Sequence, residues 1–329
     1  MIKFFLLFFL SLFSSHFILA QISNKPVVSL ILDTDIGPDY DDVGAIAVMH
    51  ALADRGEVKP LAVISSNRNE LTVPVIDVLN TYFGRPDLPS GAPKDVQSPN
   101  FGAEQKWPEM LVAKYPHRIK RSEDAKDAVQ VYREILAKQP DQSVTIVTIG
   151  FLTNLSNLLQ SEPDHISPLN GDLLVRKKVK LLVSMAGNFP EGEEYNVKID
   201  SLASKKVFTD WPTQIVFSGF EIGNQIKTGL KIIHNDQLSS PVKDVYKLSM
   251  PFSEADSQGR MSWDQTAVLV AIRGNLPYFG MKRGRIGIEG SKNTWRDDPM
   301  GPHAYLTESM PYANLAYLIE ALMQEGGRK

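Results

Sequence analysis

Apolar and polar positions follow one another along this chain in a repeated order. An apolar run over 27–32 stops at Asp33, and residues 43–55 then place apolar side chains at helical spacing. The unit returns: a strand over 58–64, the polar stretch Ser65-Ser66-Asn67-Arg68-Asn69, and a helix over 73–83. Further on, Ser122 is the expected N-cap of a helix whose apolar face is Ala128, Val129, Tyr132, Ile135 and Leu136, and which Pro140 ends. A strand over 144–149, the turn Gly150-Phe151-Leu152-Thr153-Asn154 and a helix through 159 come next. Strands over 178–185 and 213–217 flank a helix over 201–210, and helices over 267–272 and 312–323 complete the pattern. Residues 86–121, rich in Pro, Gly and charge, receive no regular structure from the pattern. Strands that alternate with helices predict an α/β fold: a doubly wound, mostly parallel, Rossmann-like open sheet with helices on both faces. No repeat or hinge-like linker divides the chain, so residues 21–329 are expected to form a single domain.

The first 20 residues stand apart. Lys3 precedes an almost wholly apolar stretch, and Ile18-Leu19-Ala20 ends on a small residue, the pattern of a secretory signal peptide cleaved near Ala20. The apolar core is shorter than the roughly 20 residues of a spanning helix, so no stable membrane anchor is expected. The reading is export, to a periplasm or beyond. With no cysteine there is neither a disulfide nor a thiolate metal site. The net charge of −3 and the lack of a long Lys/Arg cluster argue against a nucleic-acid polymer as partner. Small neutral ligands such as nucleosides or sugars remain open.

Each polar stretch follows the carboxyl end of a buried strand, where open α/β sheets bind their ligands. The densest is Asp33-Thr34-Asp35-Ile36-Gly37-Pro38-Asp39-Tyr40-Asp41-Asp42, with five carboxylates in ten residues. Such acids repel one another, and a hard divalent cation with oxygen ligands would offset that repulsion. An EF-hand is a poor match, because a strand precedes the loop and Gly44 stands where the loop's last Glu belongs. An aspartyl-phosphate phosphatase could use Asp33 and Asp35, but so much negative charge repels a phosphate. A calcium site that binds a sugar diol and a water together fits best. Elsewhere the plainer readings compete: Asn67 as a turn residue, Asp264 as a helix cap, Phe101 and Trp107 as local core instead of stacking surfaces, and Asn188, Glu194 and Asn196 as a solvated loop instead of a sugar grip.

The acidic loop resembles the N-terminal signature of the nucleoside hydrolase family, the inosine-uridine-preferring group and its relatives. Ile64-Ser65-Ser66-Asn67, the run from Thr148 to Asn154, Met185-Ala186-Gly187-Asn188, Glu194-Tyr195-Asn196 and Trp263-Asp264 resemble later family motifs in the same order. The resemblance runs from about residue 27 to the end. It implies a calcium ion held by Asp35, Asp42, the backbone carbonyl of Ile149 and Asp264, with Asp35 also the general base for the attacking water. It implies that Asp41, Asn67, Asn188, Glu194 and Asn196 grip the ribose hydroxyls, and that the chain forms homo-oligomers. The activity implied is hydrolysis of a ribonucleoside to ribose and free base. The alternatives are hydrolysis of another ribosyl or glycosyl substrate, or a non-catalytic calcium and sugar binding protein. The chain departs from the family pattern twice. Two extra residues lie between Asp35 and the Asp41-Asp42 pair, so Asp39 competes for their roles. Trp263 stands where many members have a leaving-group His; purine-preferring members resemble this chain in having Trp, which implies a purine preference.

Overall fold

In the computed structural model, residues 26–326 are described, and the expected signal peptide lies outside them. The strands in chain order are β1 (Val28–Thr34), β2 (Val58–Ser65), β3 (Ser90–Ala92), β4 (Lys126–Asp127), β5 (Val144–Thr148), β6 (Val179–Met185), β7 (Gly192–Glu193), β8 (Gln214–Ser218), β9 (Lys227–Thr228), β10 (Arg260–Met261), β11 (Phe279–Glu289), β12 (Lys292–Asp297) and β13 (His303–Glu308). Apart from β9 and β10, which pair with each other, they form one eleven-stranded sheet in the order β4-β3-β2-β1-β5-β6-β8-β13-β11-β12-β7. Pairing is parallel from β4 across to β13 and antiparallel beyond it. From β1 the chain builds outward to β2 on one side and to β5 on the other. The crevice at that reversal is the topological switch point of the sheet, and Asp33 pairs with Thr148 across it.

Helices cover both faces, as the alternation of strands and helices predicts. Successive side chains of a strand point to opposite faces. On β1, Leu30 and Leu32 join the core beneath helices Asp41–Asp54, Trp263–Arg273 and Tyr312–Met323, while Ile31 joins the core beneath helices Ala128–Lys138, Thr153–Gln160 and Ser201–Asp210. Helix Asp41–Asp54 is buried from Asp41 through Leu52. No helix among the described residues is long and apolar enough to cross a membrane.

Three expectations are corrected. Residues 86–121 contain β3 and helix Trp107–Lys114, which has Pro in its first turn, where a missing N–H does no harm. Ser122 does not cap the following helix. Its hydroxyl accepts from Val73 N at 3.1 Å and donates to Asn69 O at 2.7 Å, while Asp127 caps helix Ala128–Lys138 by accepting from Val129 N and Gln130 N. The pattern also passed over β11 and β12, whose half-exposed, charge-rich residues do not alternate cleanly, and β13, which is buried over its first four residues.

Candidate active site

The acidic loop rises from the carboxyl end of β1 at the switch point. The period-two alternation puts Asp33 on the face of Ile31, toward the helices that carry Tyr132 and Asn154. Tyr132 Oη donates to Asp33 Oδ2 at 2.8 Å and Asn154 Nδ2 at 3.0 Å, so Asp33 ties strand and helices together beneath the site. Burial pushes its carboxyl up to about 7 despite those two donors. Asp42, fully buried at the start of helix Asp41–Asp54, accepts from the Thr34 hydroxyl and leaves Oδ2 without a partner.

Asp35 is buried beside the turn after β5. Gly150 makes this approach possible: a Cβ there would meet the Asp35 backbone nitrogen and lie 2.6 Å from Asp35 Cβ. The same turn carries Ile149, whose N–H donates to Asp33 O at 2.8 Å. Asp264 joins from the first turn of helix Trp263–Arg273. The helix begins at Trp263 with no side-chain cap bond, so Asp264 is not the cap that its position in the sequence allowed. Its N–H donates to Asp41 Oδ2 at 3.4 Å.

The tightest carboxylate cluster among the described residues is Asp39, Asp41 and Asp42, whose ligand oxygens lie within 4.8 Å of one another. Asp39 lies in the stretch that the resemblance reads as two extra residues, and only Asp42 of this trio belongs to the ligand set implied by the resemblance. Asp35, Asp42 and Asp264 all have carboxyls held well above the usual range, first by burial and then by the charges of the other loop acids. An oxygen-rich set that repels itself, with a buried and unpartnered Asp42 Oδ2, fits a hard cation.

Part of that repulsion has an internal counterweight that the sequence reading missed. Arg260, buried at the start of β10, donates to Asp41 Oδ1 through Nε at 3.2 Å and Nη2 at 2.6 Å, and Nη2 lies 2.7 Å from Asp39. Its guanidinium also stands over the rings of Tyr40 and Trp263, at 4.8 and 5.1 Å from their centroids. Tyr40 Oη donates to Asp256 at 2.7 Å, closing the network. Burial works against the charge on Arg260, but Asp41, Asp39 and Asp256 outweigh it and keep the guanidinium ionised. The Asp41 carboxyl is pushed up to about 7 by burial, against the pull of Arg260.

The other expected residues line the same rim. Asn67 is fully buried; Nδ2 donates to Phe101 O at 2.8 Å and Asp35 O at 3.1 Å, and Oδ1 accepts from Phe101 N and Asn69 N. Its amide is therefore engaged with backbone, and it locks three loops together. Glu194 accepts from Asn196 N at 2.8 Å, Gly187 N at 3.1 Å and Val197 N at 3.2 Å, and burial still pushes its carboxyl up to about 7. Asn196 Nδ2 donates to Met185 O at 3.2 Å. Asn188 is held by its backbone, through Asn293, and its side-chain amide is half-buried. Trp263 donates to Phe220 O at 2.9 Å and stacks on the Phe220 ring at 5.2 Å. Of the two aromatic candidates, Trp107 is wholly buried core, whereas Phe101 lies 5.8 Å from Phe151, which lies 6.1 Å from Tyr195. Tyr195 is 46% exposed, and after burial it is the charges of Asp35 and Asp39 that raise its phenol to about 12. It is a second residue passed over, although it stands inside the Glu194-Tyr195-Asn196 motif. His303 is far from this rim, accepting from Ile286 N at 3.1 Å, with burial lowering its imidazole to about 4.

The chain is similar to known proteins in sequence and in fold. The non-specific ribonucleoside hydrolase RihC of Klebsiella pneumoniae is 28% identical over 204 residues, 60% of this chain and 62% of the relative. The inosine-uridine preferring nucleoside hydrolase of Crithidia fasciculata is 26% identical over 209 residues, 60% of this chain and 61% of the relative. The chain thus spans a little under two thirds of the length of these curated relatives. The solved purine-preferring ribonucleoside hydrolase from Gardnerella vaginalis has the same fold, with a TM-score of 0.68 at 17% identity over 90% of this chain and 99% of that one. Residues 30–305, which take in every site residue named above, match the model of one family. The chain belongs to the inosine-uridine preferring nucleoside hydrolase family.

Proposed function

We propose that this protein is a calcium-dependent nucleoside N-ribohydrolase that prefers purine nucleosides. The observation that carries the reading is the set of buried carboxylates of Asp35, Asp41, Asp42 and Asp264 at the switch point, with Asp42 Oδ2 lacking any partner. Asp35, Asp42, Asp264 and the Ile149 carbonyl would hold the ion, with Asp39 an added candidate from the insertion. When bound, the ion orients a water and lowers its pKa.

The chain's own groups do the rest. Asp35 accepts the water's proton as the oxygen joins the anomeric carbon and the bond to the base breaks, its electron pair leaving with the base. A positioned carboxylate base contributes about 10²- to 10⁴-fold to such a step. Positive charge builds on the ribose as the bond breaks, and the crowded carboxylates stabilise it electrostatically. Asp41, Asn188, Glu194 and Asn196 position the hydroxyls, and Asn67, whose amide is engaged with backbone, holds the loops that carry them. The Trp263 indole supplies a face for the leaving base, which favours purines through their larger ring area.

A second reading, hydrolysis of another ribosyl substrate, is favoured by the engagement of Asp41 with Arg260 and of the Asn67 amide with backbone, because both change the sugar grip. The test is ribose release from inosine, guanosine, adenosine, uridine and cytidine, with calcium and again with chelator. Release that chelator stops, faster from purines, is expected. No release from any of the five by folded, calcium-loaded protein would sink the nucleoside reading and leave the other ribosyl substrates. Export is part of the proposal, and residues 1–20 fused to a reporter should direct it out of the cytoplasm.

A further inference from the structure

We infer that the cleft at the carboxyl ends of β2 and β3, beside the acidic site, is a phosphate subsite. The cleft measures about 460 Å³ and is lined by Arg68, Lys94 and Arg121, with Glu70, Glu123 and Asn100. Its three cations are not equivalent. Arg121 is offset by Glu123 at 3.0 Å and Glu70 at 3.9 Å. Lys94 Nζ donates to the carbonyls of Ser122 at 3.1 Å and Glu123 at 2.9 Å, which fix its direction without neutralising it and leave one N–H free. Arg68 is half-buried, its Nε is buried without a partner, and among the described residues its guanidinium has no hydrogen bond or ion pair.

An unpaired, partly desolvated guanidinium loses its water without a partner in return, unless a ligand supplies one. A guanidinium fork together with an oriented ammonium matches an anion with several oxygens on one centre. The walls are held firm, because Ser122 Oγ bonds to Val73 N, Thr72 Oγ1 and Asn69 O at 2.7 to 3.1 Å. The partition toward the acidic site is one loop thick. Asn67, which donates to Asp35 O, immediately precedes Arg68, and Phe101, bonded to Asn67, immediately follows Asn100. The phosphate arrives either as a substituent of the sugar-bearing substrate or as the free inorganic ion. The first source rests on the ribosyl reading above; the phosphate contact itself does not.

The experiment is isothermal titration of the protein in chelator with inorganic phosphate, ribose 5-phosphate and ribose. Phosphate binding is expected, weakened by about tenfold or more in both Arg68→Gln and Lys94→Gln and unchanged in Arg118→Gln, an exposed arginine outside the cleft. If Arg68→Gln melts early, Lys94→Gln carries the result. Ribose 5-phosphate binding at least about tenfold tighter than phosphate or ribose alone assigns the anion to the substrate, and equal binding of the two phosphates assigns it to the free ion. No phosphate binding by the wild type, or binding that neither cleft substitution weakens, overturns the subsite. Both outcomes are read without turnover, so a failure of nucleoside hydrolysis leaves them distinguishable.

Discussion

Asp33 at the foot of the acidic loop and Asp42 at its rim are equally buried aspartates, and each leaves one carboxylate oxygen without a partner. Their surroundings separate them. Asp33 faces two neutral donors, and burial alone lifts its carboxyl. Asp42 has one donor, and after burial it is lifted by Asp35, Asp39 and Asp41. Burial by itself therefore does not mark a ligand site in this molecule. Crowding of like charges does, because a structural acid gains nothing from acidic neighbours, whereas a cation site requires them.

The largest expected effect is at the rim. Asp35→Asn should lower ribose release by about 10²- to 10⁴-fold and, in chelator, keep or raise the melting temperature, since it removes one acid from a repelling set. Retained turnover would end the assignment of Asp35 as base. Next is Gly150→Ala, which pushes a methyl group onto the backbone of Asp35; activity should fall by about 10²-fold through misplacement, together with the melting temperature. Unchanged kinetics would mean that the turn yields without moving Asp35.

The foot should show itself in stability instead. Asp33→Ala strands Tyr132 Oη and one of the two N–H groups of Asn154 Nδ2, the other still reaching Ser65 O, and should cost about 1–3 kcal/mol in denaturant unfolding, whereas Asp42→Ala in chelator should cost less or stabilise. Equal losses would erase the contrast between the two.

The smallest effect is on pH. The folded carboxyls of Asp33 and Glu194 lie at about 7, above the ordinary 3.8 and 4.5, so the folded state binds more protons than the unfolded one between those values. Their contribution to stability is complete below the ordinary values and is lost as pH rises through about 7. In chelator the melting temperature should fall across that window. A rise would reverse the sign argued for both groups.

Strands β1, β2, β5, β6 and β8 were legible because continuous apolar runs and the helical spacing between them are local signals. So was the position of the acidic loop, directly after an apolar strand. Helix Trp107–Lys114 was hidden by its Pro-rich flanks, and β11 and β12 by exposure that breaks the alternation. The arrangement inside the site was less legible. Asn67 and Glu194 stand on the expected rim, but their polar groups are engaged with backbone, which no residue type announces. Tyr195 carried a signal, being enclosed by two candidate residues.

By itself, then, the sequence determined the order of the central buried strands with the helices that follow them and the placing of five carboxylates at a strand end, because both depend on side chains within a few positions of one another. Tertiary structure decided which acids crowd together, that Arg260 reaches Asp41 from 219 residues away, and that Arg68 and Lys94 share a cleft. Those outcomes depend on how the chain returns across the sheet, and the electrostatics of a buried group depends on neighbours that this return brings within a few ångströms.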